Sequence, residues 1–135
     1  MTTEISPRQA WDLLAAQKHA RLVDVRTEPE WAYVGVPDLA DLGKAVAKIS
    51  WHVFPEMRVN SEFIGKLRAT YDTAHPVIFM CRSGGRSLAA AKAAFEAGFA
   101  RCFSLAGGFE GDVDEDGHRG TKSGWKAEGL PWRQP

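Results

Sequence analysis

Residues 76–87, Pro-Val-Ile-Phe-Met-Cys-Arg-Ser-Gly-Gly-Arg-Ser, constrain this chain more than any other stretch. Val77, Ile78, Phe79 and Met80 make an unbroken apolar run behind a proline, which predicts a short buried strand. The alanine-rich run of residues 88–95 reads as a helix with Leu88, Ala91 and Phe95 on its apolar face and Gly98 as its stop. Cys81 is therefore expected to end a strand and Ser87 to open a helix. The loop between them holds two glycines and two arginines. A tight strand-to-helix loop of this kind turns successive N–H groups inward, and the helix N-terminus adds partial positive charge. It makes an anion cradle, and a cysteine at its base gives up its proton more readily than an ordinary one. A cysteine that only packs has no use for Arg82, Gly84, Gly85 and Arg86 directly after it. Cys81 is the candidate nucleophile.

The order Cys81-Arg82-Ser83-Gly84-Gly85-Arg86-Ser87 resembles the active-site loop of the rhodanese sulfurtransferases, in which the cysteine carries a transferable sulfur as a persulfide. Loop length separates this family from its neighbours. Tyrosine phosphatases, and the phosphatases that share the rhodanese fold, place five residues between cysteine and arginine, whereas four intervene here. A smaller ring of amides suits one sulfur atom better than a tetrahedral phosphate. Sulfur transfer is thus expected ahead of phosphatase or arsenate reductase chemistry; the alternative is a non-enzymatic persulfide carrier or sensor acting with a protein partner.

Two further blocks resemble the same family. Asp24-Val25-Arg26 followed by Glu30-Trp31 is similar to a second rhodanese motif. Residues 21–26 read as a strand whose C-terminal end exposes Asp24 or Arg26, and Asp24, Arg26 and Glu30 are expected to support the cysteine loop. Rhodaneses usually continue Gly-His-Ile-Pro-Gly-Ala; this chain has Gly35-Val36-Pro37-Asp38-Leu39-Ala40, without the histidine, and then a longer connection over residues 38–48. The third block is Leu105-Ala106-Gly107-Gly108 with Trp125, Gly129, Leu130 and Pro131, which in relatives walls the cysteine.

A polar insertion at about residues 110–124 interrupts that block. Asp112, Asp114, Asp116 and Gly117 match the first half of a calcium loop, but its twelfth position is Ser123, not glutamate. A polar surface loop near the site entrance is expected, with no metal site. His19, His52, His75 and His118 show no zinc spacing.

Ser6-Pro7-Arg8-Gln9 reads as a capping box opening a helix with Ala10, Trp11 and Leu14 inward. Residues 49–54 read as an edge strand with His52 on its polar side, and residues 60–71 as a helix with Phe63, Ile64 and Leu67 inward. Residues 100–106 read as an interior strand holding Cys102 as a small hydrophobe. Alternating strands and helices predict an α/β fold: a central parallel sheet with helices on both faces and its site at the carboxyl ends of the strands. The resemblance implies the rhodanese fold, with residues 1–135 as one domain.

Charge narrows the partners. Seventeen basic and seventeen acidic side chains cancel, leaving no field to draw nucleic acid or an anionic membrane. Without a basic start and apolar run, or any long apolar segment, a cytoplasmic location is expected. The resemblance implies no cofactor, a small anionic sulfur donor such as thiosulfate, and cyanide or a cellular thiol, small or on a protein, as acceptor. In that scheme Arg82 and Arg86 orient the donor, while the loop Arg82, Ser83, Gly84, Gly85, Arg86 and Ser87 cradles the persulfide.

Overall fold

The structure, a computed structural model, describes residues 2–53 and 55–134; Met1, the Phe54 that ends the expected edge strand, and Pro135 lie outside the described residues. The chain begins with β1 (Thr2–Ile5), an edge strand that its polar sequence does not predict. Ser6 then caps α1 (Pro7–Ala16) as expected. Its Oγ accepts the Gln9 amide at 3.1 Å, while Gln9 Oε1 accepts the Ser6 amide at 2.9 Å. Next come β2 (Arg21–Asp24), α2 (Glu28–Tyr33), β3 (Val36–Pro37), a 3-10 turn at Ala40–Leu42, and β4 (Ala47–Lys48). The remaining elements are β5 (His52–Val53), β6 (Arg58–Val59), α3 (Phe63–Thr70), β7 (Val77–Met80), α4 (Gly85–Glu96), β8 (Cys102–Leu105) and β9 (Trp132–Arg133).

Five strands form one sheet in the order β1-β8-β7-β2-β4, and every pairing is parallel. β7 lies at its centre with all four residues buried, as a continuous apolar run requires of a strand covered on both faces. The expected edge strand over residues 49–54 divides in two. Ile49 and Trp51 follow β2 by donating to the carbonyls of Asp24 and Val25, whereas His52 and Val53 turn away into an antiparallel hairpin with β6. A second small pair joins β3 to β9.

Alternation along the strands builds two cores. Leu22, Ile78, Met80 and Leu105 face α1 together with Phe109, Trp125 and Leu130 of the C-terminal segment. Val23, Val77, Phe79, Cys81 and Cys102 face α3 and α4. Each Leu or Phe so buried contributes roughly 1.5–3 kcal/mol of transfer free energy. The buried face of α4 is Ser87, Ala90, Ala91 and Ala94, not the expected Leu88, Ala91 and Phe95; Phe95 is 42% exposed. Small residues let this helix lie close on the sheet, and that closeness turns the bulky side chains outward. The longer connection after β3 has a structural use. Lys44 Nζ donates to the carbonyls of Leu14, Gln17 and Ala20 at 2.6, 2.8 and 2.9 Å, closing the C-terminal end of α1. Among the described residues, no helix is long and apolar enough to cross a membrane.

Candidate active site

β7 stops at Met80 and α4 starts at Gly85, two residues earlier than expected, so Arg86 and Ser87 lie in its first turn. Cys81 is buried at the head of that helix. Gly84 adopts φ +124°, where L side chains are strained, and from that conformation its amide donates to Cys81 Sγ at 3.1 Å. Among the described residues, the amides of Arg82, Ser83, Gly85 and Arg86 have no acceptor within the chain. The Ser87 hydroxyl is 3.4 Å from the sulfur and 3.1 Å from the Gly84 carbonyl. Behind it, the fully buried Ser104 of β8 shares a 2.8 Å hydrogen bond with Ser87. Ser104 has no motif around it in the sequence; only the pairing of β8 with β7 brings it here.

The expected wall forms against the cysteine loop. Phe109 donates its amide to the Cys81 carbonyl at 2.8 Å, and the amides of Glu110 and Gly111 both reach the Arg82 carbonyl at 3.0 Å. Gly108, at φ +61°, makes this approach possible: a Cβ there would stand 2.5 Å from the Cys81 carbonyl oxygen and 2.6 Å from that of Arg82. Trp125 anchors the far end of the segment by donating from Nε1 to the Pro131 carbonyl at 2.7 Å.

Glu30 reaches the site through α2. Arg86 NH1 and NH2 donate to its two carboxylate oxygens at 2.7 and 2.9 Å, and the amide and hydroxyl of Thr27 add bonds at 3.2 and 3.0 Å. Burial alone would push the Glu30 carboxyl up, but the Arg86 and Thr27 contacts outweigh it and hold the group down at about 2. Glu30 thus fixes Arg86 in a two-pronged pair.

Asp24 and Arg26 depart from expectation. Both are fully buried rather than exposed at a strand end, because they pair: Arg26 Nε and NH2 meet the Asp24 carboxylate at 2.9 and 2.6 Å, and NH1 is left without a partner among the described residues. Arg26 also donates to the Gly35 carbonyl at 2.7 Å and lies 4.5 Å over the Phe109 ring. Through Phe109 it supports the Cys81 carbonyl, so its link to the sulfur is indirect.

A pocket of about 400 Å³ is lined by Glu30, Val34, Met57, Arg82, Arg86, Glu110 and Arg119. Arg119 comes from the inserted loop and has no counterpart among the site residues expected from sequence. Its NH1 donates to the Gly111 carbonyl at 2.6 Å. The acidic part of that loop binds itself: Asp114 accepts the amides of Asp116 and His118 at 2.9 Å and the Thr121 hydroxyl. Among the described residues, no cluster of three or more potential metal ligands occurs. The arrangement gives a sulfur atom with one N–H group on it, further unpaired amides in the same loop, and arginines lining the adjoining pocket. That is the equipment for nucleophilic attack on an anionic group.

The family model described as the STR4 middle domain matches residues 3–135. The thiosulfate sulfurtransferase GlpE of Actinobacillus succinogenes is 30% identical over 129 residues, covering 96% of this chain and 88% of that protein. The crystal structure of Rv0390 from M. tuberculosis superimposes with a TM-score of 0.91 at 47% identity, covering 100% of this chain and 98% of that one. The polysulfide-sulfur transferase of Wolinella succinogenes shares the fold, with a TM-score of 0.67 at 23% identity over 99% of this chain and 80% of its own. Parallel sheet, cysteine loop and relatives agree: the chain belongs to the rhodanese family of sulfurtransferases.

Proposed function

We propose that the protein moves a sulfane sulfur from a small anionic donor such as thiosulfate to a thiophilic acceptor through a persulfide on Cys81. The Cys81 thiolate bonds to the outer sulfur of thiosulfate, and the bond between the two thiosulfate sulfurs breaks, with sulfite leaving on the electron pair. Arg82 and Arg86 attract the donor. The Gly84 amide and the unpaired amides of Arg82, Ser83, Gly85 and Arg86 stabilise the charge of the persulfide, as an oxyanion hole does. The acceptor then bonds to the outer sulfur and the cysteine thiolate leaves, which restores the starting state without any outside oxidant or reductant. Cyanide becomes thiocyanate; a thiol becomes a persulfide. Ping-pong kinetics are expected.

The observation that carries this reading is the 3.1 Å contact from the Gly84 amide to Cys81 Sγ at the head of α4. The test is an intact-mass spectrum of the reduced protein before and after thiosulfate, then after cyanide. Gain of one sulfur that cyanide removes supports the reading. Absence of any gain from thiosulfate or from a mercapto acid overturns it. A persulfide that forms but passes to neither cyanide nor free thiols would make the protein a carrier that needs a protein acceptor.

A further inference from the structure

Arg86 is the arginine of the motif, yet both of its terminal nitrogens are engaged by Glu30. Among the described residues, Arg82 and Arg119 lie within ion-pair distance of no carboxylate. Both line the pocket. Arg82 is exposed and follows the nucleophile directly, whereas Arg119 is half-buried, where water screens its charge less.

The position of Arg119 is set from the cysteine loop itself. The Arg82 carbonyl accepts the Gly111 amide at 3.0 Å, the Gly111 carbonyl accepts Arg119 NH1 at 2.6 Å, and the Gly120 amide ties back to the Glu110 carbonyl at 2.7 Å. The peptide of Gly111 therefore links the residue after the nucleophile to the guanidinium. One donor of that guanidinium fixes it to the backbone, and its planar fork has others to offer a ligand. The opposing charge on the pocket wall is Glu110. With Glu30 committed to Arg86, Glu110 is the remaining carboxylate among the described lining residues, beside two arginines that have no carboxylate partner.

We propose that Arg119 is a substrate-binding residue that holds the oxyanion end of the incoming donor, so that the inserted loop of residues 110–124 sets specificity for anionic donors. This rests on the sulfur-transfer reading above and names the group that recognises the part of the donor left behind when sulfur moves. Arg82, in the loop between β7 and α4, lines the same pocket and assists.

The test compares two reagents that modify the same sulfur. In both iodoacetate and iodoacetamide, Cys81 Sγ bonds to the CH2 carbon and iodide leaves with its electron pair; one reagent carries a carboxylate and the other a neutral amide. In Arg119→Gln, which removes the charge and keeps a polar side chain, the iodoacetate rate falls about tenfold relative to iodoacetamide. KM for thiosulfate rises by a similar factor of about ten while kcat is kept. Arg119→Lys, which keeps the charge, recovers part of the ratio. Lys122→Gln, removing an exposed cation of the same loop that does not line the pocket, leaves it unchanged. An unchanged ratio in Arg119→Gln overturns the proposal, as does an equal fall for both reagents, which would assign Arg119 to loop structure. Failure of the sulfur-transfer reading shows separately, as wild-type protein that takes up no sulfur, because alkylation does not depend on sulfur transfer.

Discussion

Cys81 and Cys102 occupy the same core layer, each 1% exposed, and differ in what faces the sulfur. Cys102 pairs in register with Val77, four residues before Cys81, which sets the two about 13 Å apart along the sheet. Cys81 follows the carboxyl end of β7, where an amide points at its sulfur and the first turn of α4 supplies more. Cys102 opens β8, at the amino ends of the strands. Its polar partner is the Phe99 carbonyl at 3.4 Å, which can only accept, and burial pushes its thiol up to about 11. Equal burial leaves the two sulfurs facing opposite kinds of partner. In a parallel sheet, the end of the strand decides whether a buried cysteine meets donors or acceptors.

The sharpest way to break this contrast is to remove each sulfur in turn. Cys81→Ser abolishes persulfide formation and cyanide-dependent transfer, whereas Cys102→Ala keeps transfer within about twofold and costs about 1 kcal/mol of stability. A comparable loss of transfer in Cys102→Ala would make the two sites partners rather than opposites. The glycines beside the two cysteines come next. Gly108→Ala forces a Cβ into the Cys81 and Arg82 carbonyls and should cost about 2–4 kcal/mol in urea unfolding, with transfer reduced. Gly98, near Cys102 at φ +108°, has open space around the same added atom, so Gly98→Ala should cost about 1–2 kcal/mol from backbone strain alone and spare transfer.

Loosening the arginine of the motif has a smaller effect. Glu30→Gln should lower kcat/KM about tenfold by releasing Arg86. Arg86→Ala should lower it more than Arg82→Ala, since only Arg86 is built into this pair. Titration gives the smallest effects, at opposite ends of the pH scale. The Glu30 carboxyl is depressed from 4.5 to about 2, so its contribution to stability is complete above pH 4.5 and is lost as pH falls toward 2. The Cys102 thiol is raised from 9.0 to about 11, so the stability from keeping it neutral is complete below pH 9 and lost as pH rises through 11. Urea midpoints followed across each window should flatten in Glu30→Gln at the acid end and in Cys102→Ala at the alkaline end.

The parts of this molecule that are legible in the sequence are those whose cause is local. The capping box at Ser6 and Gln9, the apolar run of β7 and the glycine loop each depend on neighbours within a few residues. Where the cause is tertiary, reading along the chain misleads. A charged strand end reads as exposed, but Asp24 and Arg26 pair with each other and with the Gly35 carbonyl and lie buried without leaving a periodicity, although Arg26 NH1 has no partner among the described residues. The inward face of α4 was hidden for a related reason: alanine carries little hydrophobic signal, yet close approach to the sheet selects it over Phe95. β1 is polar except for Ile5, too little for a strand pattern, and forms because β8 offers it an edge. Ser104 and Arg119 reach the site from β8 and from a loop, with nothing in their own neighbourhoods to mark them.

The serine pair behind the sulfur has a consequence for how the site tolerates a change of state. Ser104 and Ser87 are both buried and share a hydrogen bond in which either hydroxyl can donate; when Ser104 donates, the Ser87 proton is left to choose its direction. It can turn to the Gly84 carbonyl when the sulfur is protonated and to the sulfur when it is not. In the proposed cycle, a unit of charge on the sulfur would then be met by the rotation of a single hydrogen.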